Sequence, residues 1–264
     1  MSDFWVCFWN ILIPFLGTTL GAACVFITKD KLNKNVERAL SGFAAGVMVA
    51  ASIWSLLIPS IDSTDKEIYG KYTFIPAAIG FAIGFFFIML LDKIIPHLHA
   101  SGTEEGNKQN HLRRDVKMVL AVTLHNIPEG MAMGVVIAGV ISSNQIITIS
   151  GAFVLAIGIA LQNFPEGAIV SLPLHANGQK KSRAFLFGAF SGVVEPIATI
   201  LTILWASQVK VILPYSLAFA AGAMIFVVID ELIPEMVEGE HNHIGATLFA
   251  IGFILMMTLD IVFG

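Results

Sequence analysis

Residues 118–141 read MVLAVTLHNIPEGMAMGVVIAGVI. The stretch is apolar and long enough to cross a bilayer as a helix, for which about 20 residues are needed. Its middle is interrupted by His125, Asn126 and Glu129, beside Pro128. The next apolar run carries the same interruption, Gln162-Asn163-Phe164-Pro165-Glu166-Gly167. An ionisable side chain at mid-membrane depth is costly and marks a functional site by default. Two copies in consecutive runs point to one site built from two helices.

Working outward, the whole chain has the same character. It is 56% hydrophobic and 13% charged, against about 25% charged residues in a soluble domain. That is too little charge to cover a water-facing surface, so the chain reads as an all-α integral membrane protein. There is no basic stripe with interleaved aromatics, which excludes nucleic acid as a partner. Cys7 and Cys24 both fall in the first apolar run, so neither a structural disulfide nor a cysteine metal cluster is expected. No Lys or Arg precedes that run and no small-residue cleavage site ends it, so it reads as a retained helix rather than a signal peptide.

Eight runs meet the length rule, at roughly 4–28, 36–60, 74–96, 115–140, 146–174, 182–207, 211–235 and 243–263. They make one transmembrane domain over residues 1–264. Twelve of the fifteen Lys and Arg residues fall in alternate connections, and only Lys66, Lys71 and Lys210 lie on the other side. Basic residues concentrate on the cytoplasmic side, so both termini are expected outside. The last inner connection fits less well, with Glu235, Glu238 and Glu240 and no basic residue. The longest connection, 97–114, holds His97, His99, Glu104, Glu105 and His111. It reads either as a solvated mobile loop or as a weak cytoplasmic metal-collecting segment. Small residues spaced by four, such as Gly42 and Gly46, Gly80 and Gly84, and Gly188 and Gly192, permit close helix approach in lipid.

On a helical wheel with His125 at zero, Asn126 lies at about 100° and Glu129 at about 40°. Glu129 therefore projects between the other two, and its oxygens can serve two adjacent cations. The second copy repeats this wheel, with Glu166 between Gln162 and Asn163. Facing helices would create two neighbouring metal positions bridged by two glutamates. Pro128 and Pro165 free the carbonyls of Leu124 and Leu161, and such backbone is tolerated at membrane depth where it is buried or lines a wet cavity. Glu195, followed by Pro196, adds a third intramembrane acid mid-way along the sixth run. No Lys or Arg lies at comparable depth. Three ionised carboxylates sharing a dry site must take up protons or bind cations. Imidazole favours zinc, iron, copper or nickel, so His125 points to a transition metal. Met48 reads either as an added thioether ligand or as ordinary packing.

At these residues the chain resembles the ZIP (Zrt/Irt-like) family of metal-ion transporters, in particular its GufA-like branch. The His-Asn-x-Pro-Glu-Gly motif and its x-Asn-x-Pro-Glu-Gly companion carry the resemblance, which covers essentially the whole chain. It implies an eight-helix ZIP-type bundle that moves Zn2+, and in some members Fe2+, Mn2+ or Cd2+, toward the cytosol as cargo rather than cofactor. It also implies a homodimer and an elevator-type motion of one helix group against another. By motif position, the primary metal site uses His125, Glu129, Gln162 and Glu166, with Met48 as an extra ligand. The second uses Asn126, Asn163 and Glu195 and shares both glutamates. Many members carry His at the position of Gln162, and some carry Asp at that of Asn163.

The resemblance further suggests a path for the ion. Asp62 and Asp260 stand near an outer entrance. Asp92, His97, His99, Asp230, Glu231 and Glu235 stand toward the inner exit, with His175 as a further candidate. The expected setting is a plasma or bacterial inner membrane, crossed several times. Two other functional classes make different demands on the sequence. An intramembrane metalloprotease needs Glu directly after the first His of a His-x-x-x-His pair; Asn126 stands there instead, and no nucleophile stands out, so no enzyme is expected. A metal-sensing receptor that binds without transporting needs no acids spread from entrance to exit.

Overall fold

The computed structural model describes residues 3–28, 33–95, 97–98, 104–105, 114–142, 146–206, 212–238 and 243–264. Among the described residues there are eight long helical spans: α1 (Asp3–Ile27), α2 (Lys34–Asp62), α3 (Phe74–Ile94), α4 (Arg114–Ile141), α5 (Ile149–Ala176), α6 (Lys181–Trp205), α7 (Leu213–Val237) and α8 (Ile244–Phe263). All eight are long and apolar enough to cross a membrane. Large apolar side chains such as Phe4, Leu20, Phe86, Leu204 and Ile254 point outward. An apolar exterior of this extent suits hydrocarbon, not water. The protein is an integral, multi-pass membrane protein.

The helices pack as four close pairs: α1 with α5, α2 with α8, α3 with α7, and α4 with α6. Small residues decide these pairs. A side chain on Gly17 or Gly21 would strike the backbone of Ala160 or Phe164 on α5. Gly42 and Gly46 stand in the same way against Gly245 and Phe249 on α8, and Gly80 and Gly84 against Tyr215 and Phe219 on α7. Without a hydrophobic driving force between helices in lipid, such backbone approach is what draws them together. The pairing has an internal symmetry. Exchanging α1, α2, α3 and α4 for α6, α7, α8 and α5 turns each pair into another of the set.

The same symmetry shows in the helix ladders. α2 passes through a π-helical turn at Ser52–Leu57, and α7 through one at Val228–Leu232. Each is followed by Leu-Ile-Pro, at Leu57–Pro59 and Leu232–Pro234. Proline has no N–H to continue the ladder. The residue before it reaches back five instead of four, Ile58 to the Ile53 carbonyl and Ile233 to the Val228 carbonyl. The extra residue re-aims what precedes it, including Asp230 and Glu231.

Two features differ from the sequence expectation. The sixth span is not one kinked helix. It is a helix over Lys181–Ser191, a turn at Gly192 and Val193, and a second helix over Val194–Ala206. Pro196 cannot donate to the Gly192 carbonyl, which the Glu195 N–H takes instead at 3.1 Å. Pro128 and Pro165, by contrast, leave α4 and α5 helical throughout. The polar connection after α3 is not featureless either, since His97–Leu98 pairs antiparallel with Glu104–Glu105. Between α2 and α3 lies a further helical turn, Lys66–Tyr69, capped by Asp65 and closed by Gly70 at φ 55°.

Candidate metal centre

α4 and α5 bring their repeated motifs face to face, and the break in α6 closes the third side. Asn126, Glu129, Gln162 and Asn163 are 0% exposed, Glu195 1%, Glu166 5% and His125 7%. The helical wheel is realised in the partners. Glu129 points between its neighbours, and its Oε1 accepts from Gln162 Nε2 on α5 at 2.5 Å. On one flank His125 Nε2 meets Glu231 Oε1 on α7. On the other, Asn126 Nδ2 donates to the Ser191 carbonyl on α6 at 3.1 Å. Asn163 Nδ2 donates to Glu195 Oε2 at 2.9 Å. Glu166 and Glu195 both lie within electrostatic reach of Glu129.

These contacts use only part of the polar capacity. Glu129 Oε2, Gln162 Oε1, Glu166 Oε2, Asn126 Oδ1, Asn163 Oδ1 and Glu195 Oε1 are buried with no hydrogen-bond partner. All are acceptors. A buried polar atom left unmet costs about 1–3 kcal/mol. Six buried acceptors on three helices are left without a partner, a lack that a bound cation can meet. Among the described residues the only buried Lys or Arg is Arg38, near the start of α2.

The remaining expected residues fall into three groups. Toward the end where α2 begins and α7 finishes, oxygens of Asp92, Asp230 and Glu231 lie within 4.8 Å of one another. Through Glu231 this cluster connects directly to His125. Further along, Glu235 Oε2 accepts from Ser41 Oγ at 3.0 Å, beside a small polar cavity of about 50 Å³ lined by Arg38, Ser41, Pro173 and Glu235. At the opposite end, Asp260 accepts from Ser55 at 2.7 Å and Asp62 is exposed. Met48 is fully buried in the apolar core with Leu155, Ile159 and Met133. His175 Nδ1 meets the Gln179 carbonyl at 2.8 Å and closes the end of its own helix. The side chain of His97, and all of His99, lie outside the described residues.

Sequence reading missed two buried polar residues on α1, of which Thr18 stands against Gly192 at the α6 break. Asn10 and Thr18 on α1 are fully buried, and Asn10 Oδ1 and Thr18 Oγ1 have no partner. The signal was available. Asn10, Pro14 and Thr18 recur at steps of four in an apolar run, which stacks them along one helix face. The Pro14 carbonyl accepts from Asn163 at 3.4 Å.

A family model described as ZIP Zinc transporter matches residues 4–118 and 113–260. A Zinc transporter ZIP11 from Xenopus tropicalis is 35% identical, over 96% of this chain and 98% of its own length. A Zinc transporter GufA from Myxococcus xanthus is 33% identical, over 96% and 97%. A Zinc transporter ZupT from Chlorobaculum parvum is 31% identical over 88% of each chain. With family match and relatives spanning nearly its full length, and with the paired Pro-Glu-Gly helices at its centre, this chain belongs to the ZIP zinc transporter family.

Proposed function

We propose that the protein carries divalent transition-metal ions, zinc foremost, across its membrane toward the cytosol. The relatives bear the name zinc transporter, and the site chemistry favours the same class. The observation that carries the reading is the set of six unpartnered buried acceptors on α4, α5 and α6, with no buried Lys or Arg near them among the described residues.

The ion's primary position lies between Glu129 and Glu166, with His125 and Gln162 as neutral ligands and Met48 on the α2 side. Asn126, Asn163 and Glu195 frame a second cation position that shares the two glutamates. Stripping a divalent ion of water costs far more than the protein can offset with neutral groups alone. Two carboxylates and an imidazole replace that hydration with ligands already held in place. Asp92, Asp230, Glu231 and Glu235 then receive the ion in steps on the way in, and Glu231 competes with the ion for His125. The protein works as one transport domain over residues 1–264, in a cell membrane, with both termini outside and as a homodimer. Access alternates by motion of α1, α4, α5 and α6 against α2, α3, α7 and α8.

Zinc flux into proteoliposomes tests this. Saturable uptake by the wild type, lost in Glu129→Ala and Glu166→Ala while both variants remain folded, is the expected result. Undiminished uptake in both variants would remove these residues from the path. Iron, manganese and cadmium added as competitors in the same assay would order the ions.

A further inference from the structure

Resting on the transport reading above, we propose that Arg38 sets how readily the ion leaves. Its buried guanidinium stands at the inner end of the path, engages Glu235 once the ion has gone, and so keeps that last acid from holding the metal.

Arg38 is an exception in this bundle. Among the described residues it is the only buried Lys or Arg, at 8% exposed. A basic charge withdrawn from water is costly and is kept only against a partner. Its Nη1 donates to the Asn35 amide oxygen at 3.2 Å, which is neutral. A guanidinium carries five N–H donors in a planar fork shaped for carboxylates, so this one contact leaves it able to take a carboxylate as well.

The carboxylates beside it are the last on the ion's way. Arg38 shares the cavity of about 50 Å³ with Glu37, Ser41 and Glu235, where α2 and α7 face Ile169 and Pro173 of α5. Lys34 and Glu238 stand at the edge of that cavity, exposed, where solvent and salt screen their charges. Glu37 and Glu235 are half-buried. Glu235 lies four residues beyond Glu231 on α7, and Glu231 meets His125. Glu235 also lies within electrostatic reach of Glu166 in the metal centre. On α2, Arg38, Ser41, Ala45 and Met48 are all buried and recur at steps of three and four, which stacks them along one helix face. The face that carries Met48 in the core carries Arg38 to the exit.

The chemistry of release follows. Glu37 and Glu235 bring two carboxylates to the cavity, and Asp92, Asp230 and Glu231 lie further in. Acids alone would hold a divalent ion too tightly to let it go. One buried cation beside them acts in two ways. It repels the metal, which weakens the hold of each acid. It also offers Glu235 another partner, so that loss of the ion is offset by a charge-assisted contact. Arg38 is thus a positioning residue that acts through Glu235 and touches no metal itself.

Zinc flux in proteoliposomes and equilibrium zinc binding to the purified full-length protein test this. Arg38→Met and Arg38→Gln remove the charge, and Arg38→Lys keeps it. Both neutral variants should bind zinc about tenfold more tightly and turn over about tenfold more slowly, with a lower KM. Arg38→Lys should recover most of the turnover. Adding Glu235→Gln to Arg38→Met should speed release again, because the acid that traps the ion is gone. Monodisperse elution checks folding. A merely structural Arg38 gives another pattern: fewer active molecules, unchanged zinc affinity and KM, and no rescue by Lys or by the second substitution. That pattern, failure of both neutral variants to fold, or wild-type affinity and turnover in folded neutral variants would overturn the role of Arg38 and leave the transport reading standing. A folded wild type that moves no zinc would sink both.

Discussion

Gln162 holds the centre in its present arrangement. Its amide donates to Glu129 Oε1 while its own oxygen stays unmet. Replacing it by His exchanges a weak neutral ligand for an imidazole, a better partner for zinc. Gln162→His should therefore bind zinc about tenfold more tightly, a gain near that of one good charge-assisted contact. Competition with a chelating indicator would show it, and release into the lumen of proteoliposomes should slow in step. Unchanged affinity would place Gln162 away from the ion. The residues of the repeated motif were legible in the sequence because an acid in an apolar run has no other explanation. Thr18 and Asn10 were harder to see, because a hydroxyl or an amide is tolerated singly in many membrane helices. Only the fold shows the unpartnered Thr18 oxygen against Gly192 at the α6 break, with that of Asn10 further along the same helix.

At the scale of the element, glycine plays two different roles. Gly21 lies where α1 touches α5, and any side chain there meets the Phe164 backbone. Gly21→Val should destabilise the protein by about 1–3 kcal/mol, the usual penalty of overpacking, and lower its thermal unfolding temperature in detergent. Gly70 faces open space but holds φ 55° at the end of the Lys66–Tyr69 turn. Gly70→Ala should cost about 1–3 kcal/mol through backbone strain alone, with zinc flux unchanged. If Gly21→Val were as mild as a surface change, the close α1–α5 contact would not exist. Proline is equally context-bound. α4 and α5 stay helical through Pro128 and Pro165, while α6 breaks outright ahead of Pro196. Gly192 separates the cases, since its small size admits Thr18 where a longer side chain would not.

For the whole molecule, the pairing of helices matters more than their number. The helices that carry the repeated acids, α4 and α5, each pair with one end of the symmetric set, α6 and α1. Between the pairs the contacts are looser. A wide apolar cavity of about 590 Å³ separates α4 and α6 from α3 and α7, lined by Met131, Val135, Leu201, Trp205 and Phe219. A second, of about 500 Å³, lies between α1 and α5 on one side and α2 on the other. Orientation is a separate matter, set by the basic residues. In a variant without Cys7 and Cys24, a membrane-impermeant maleimide applied to intact cells should label Lys71→Cys but not Lys180→Cys. Both positions are exposed in the structure, so the reverse pattern would turn the protein over in its membrane.

Hydropathy and the twice-written Pro-Glu-Gly pattern determined the class by themselves. Eight apolar runs have only one stable form in a bilayer, because every backbone group must find its partner within a helix. Buried acids with no Lys or Arg at their depth must take up protons or bind a cation. Tertiary structure alone decided the rest. Which helices pair follows from glycines whose partners lie far along the chain, such as Gly84 and Phe219. That His125 reaches Glu231, and that α6 opens between Ser191 and Val194 beside Thr18, depends on four helices meeting at one point. Local spacing records the period of a helix, but the neighbour it meets is set by packing across the whole bundle.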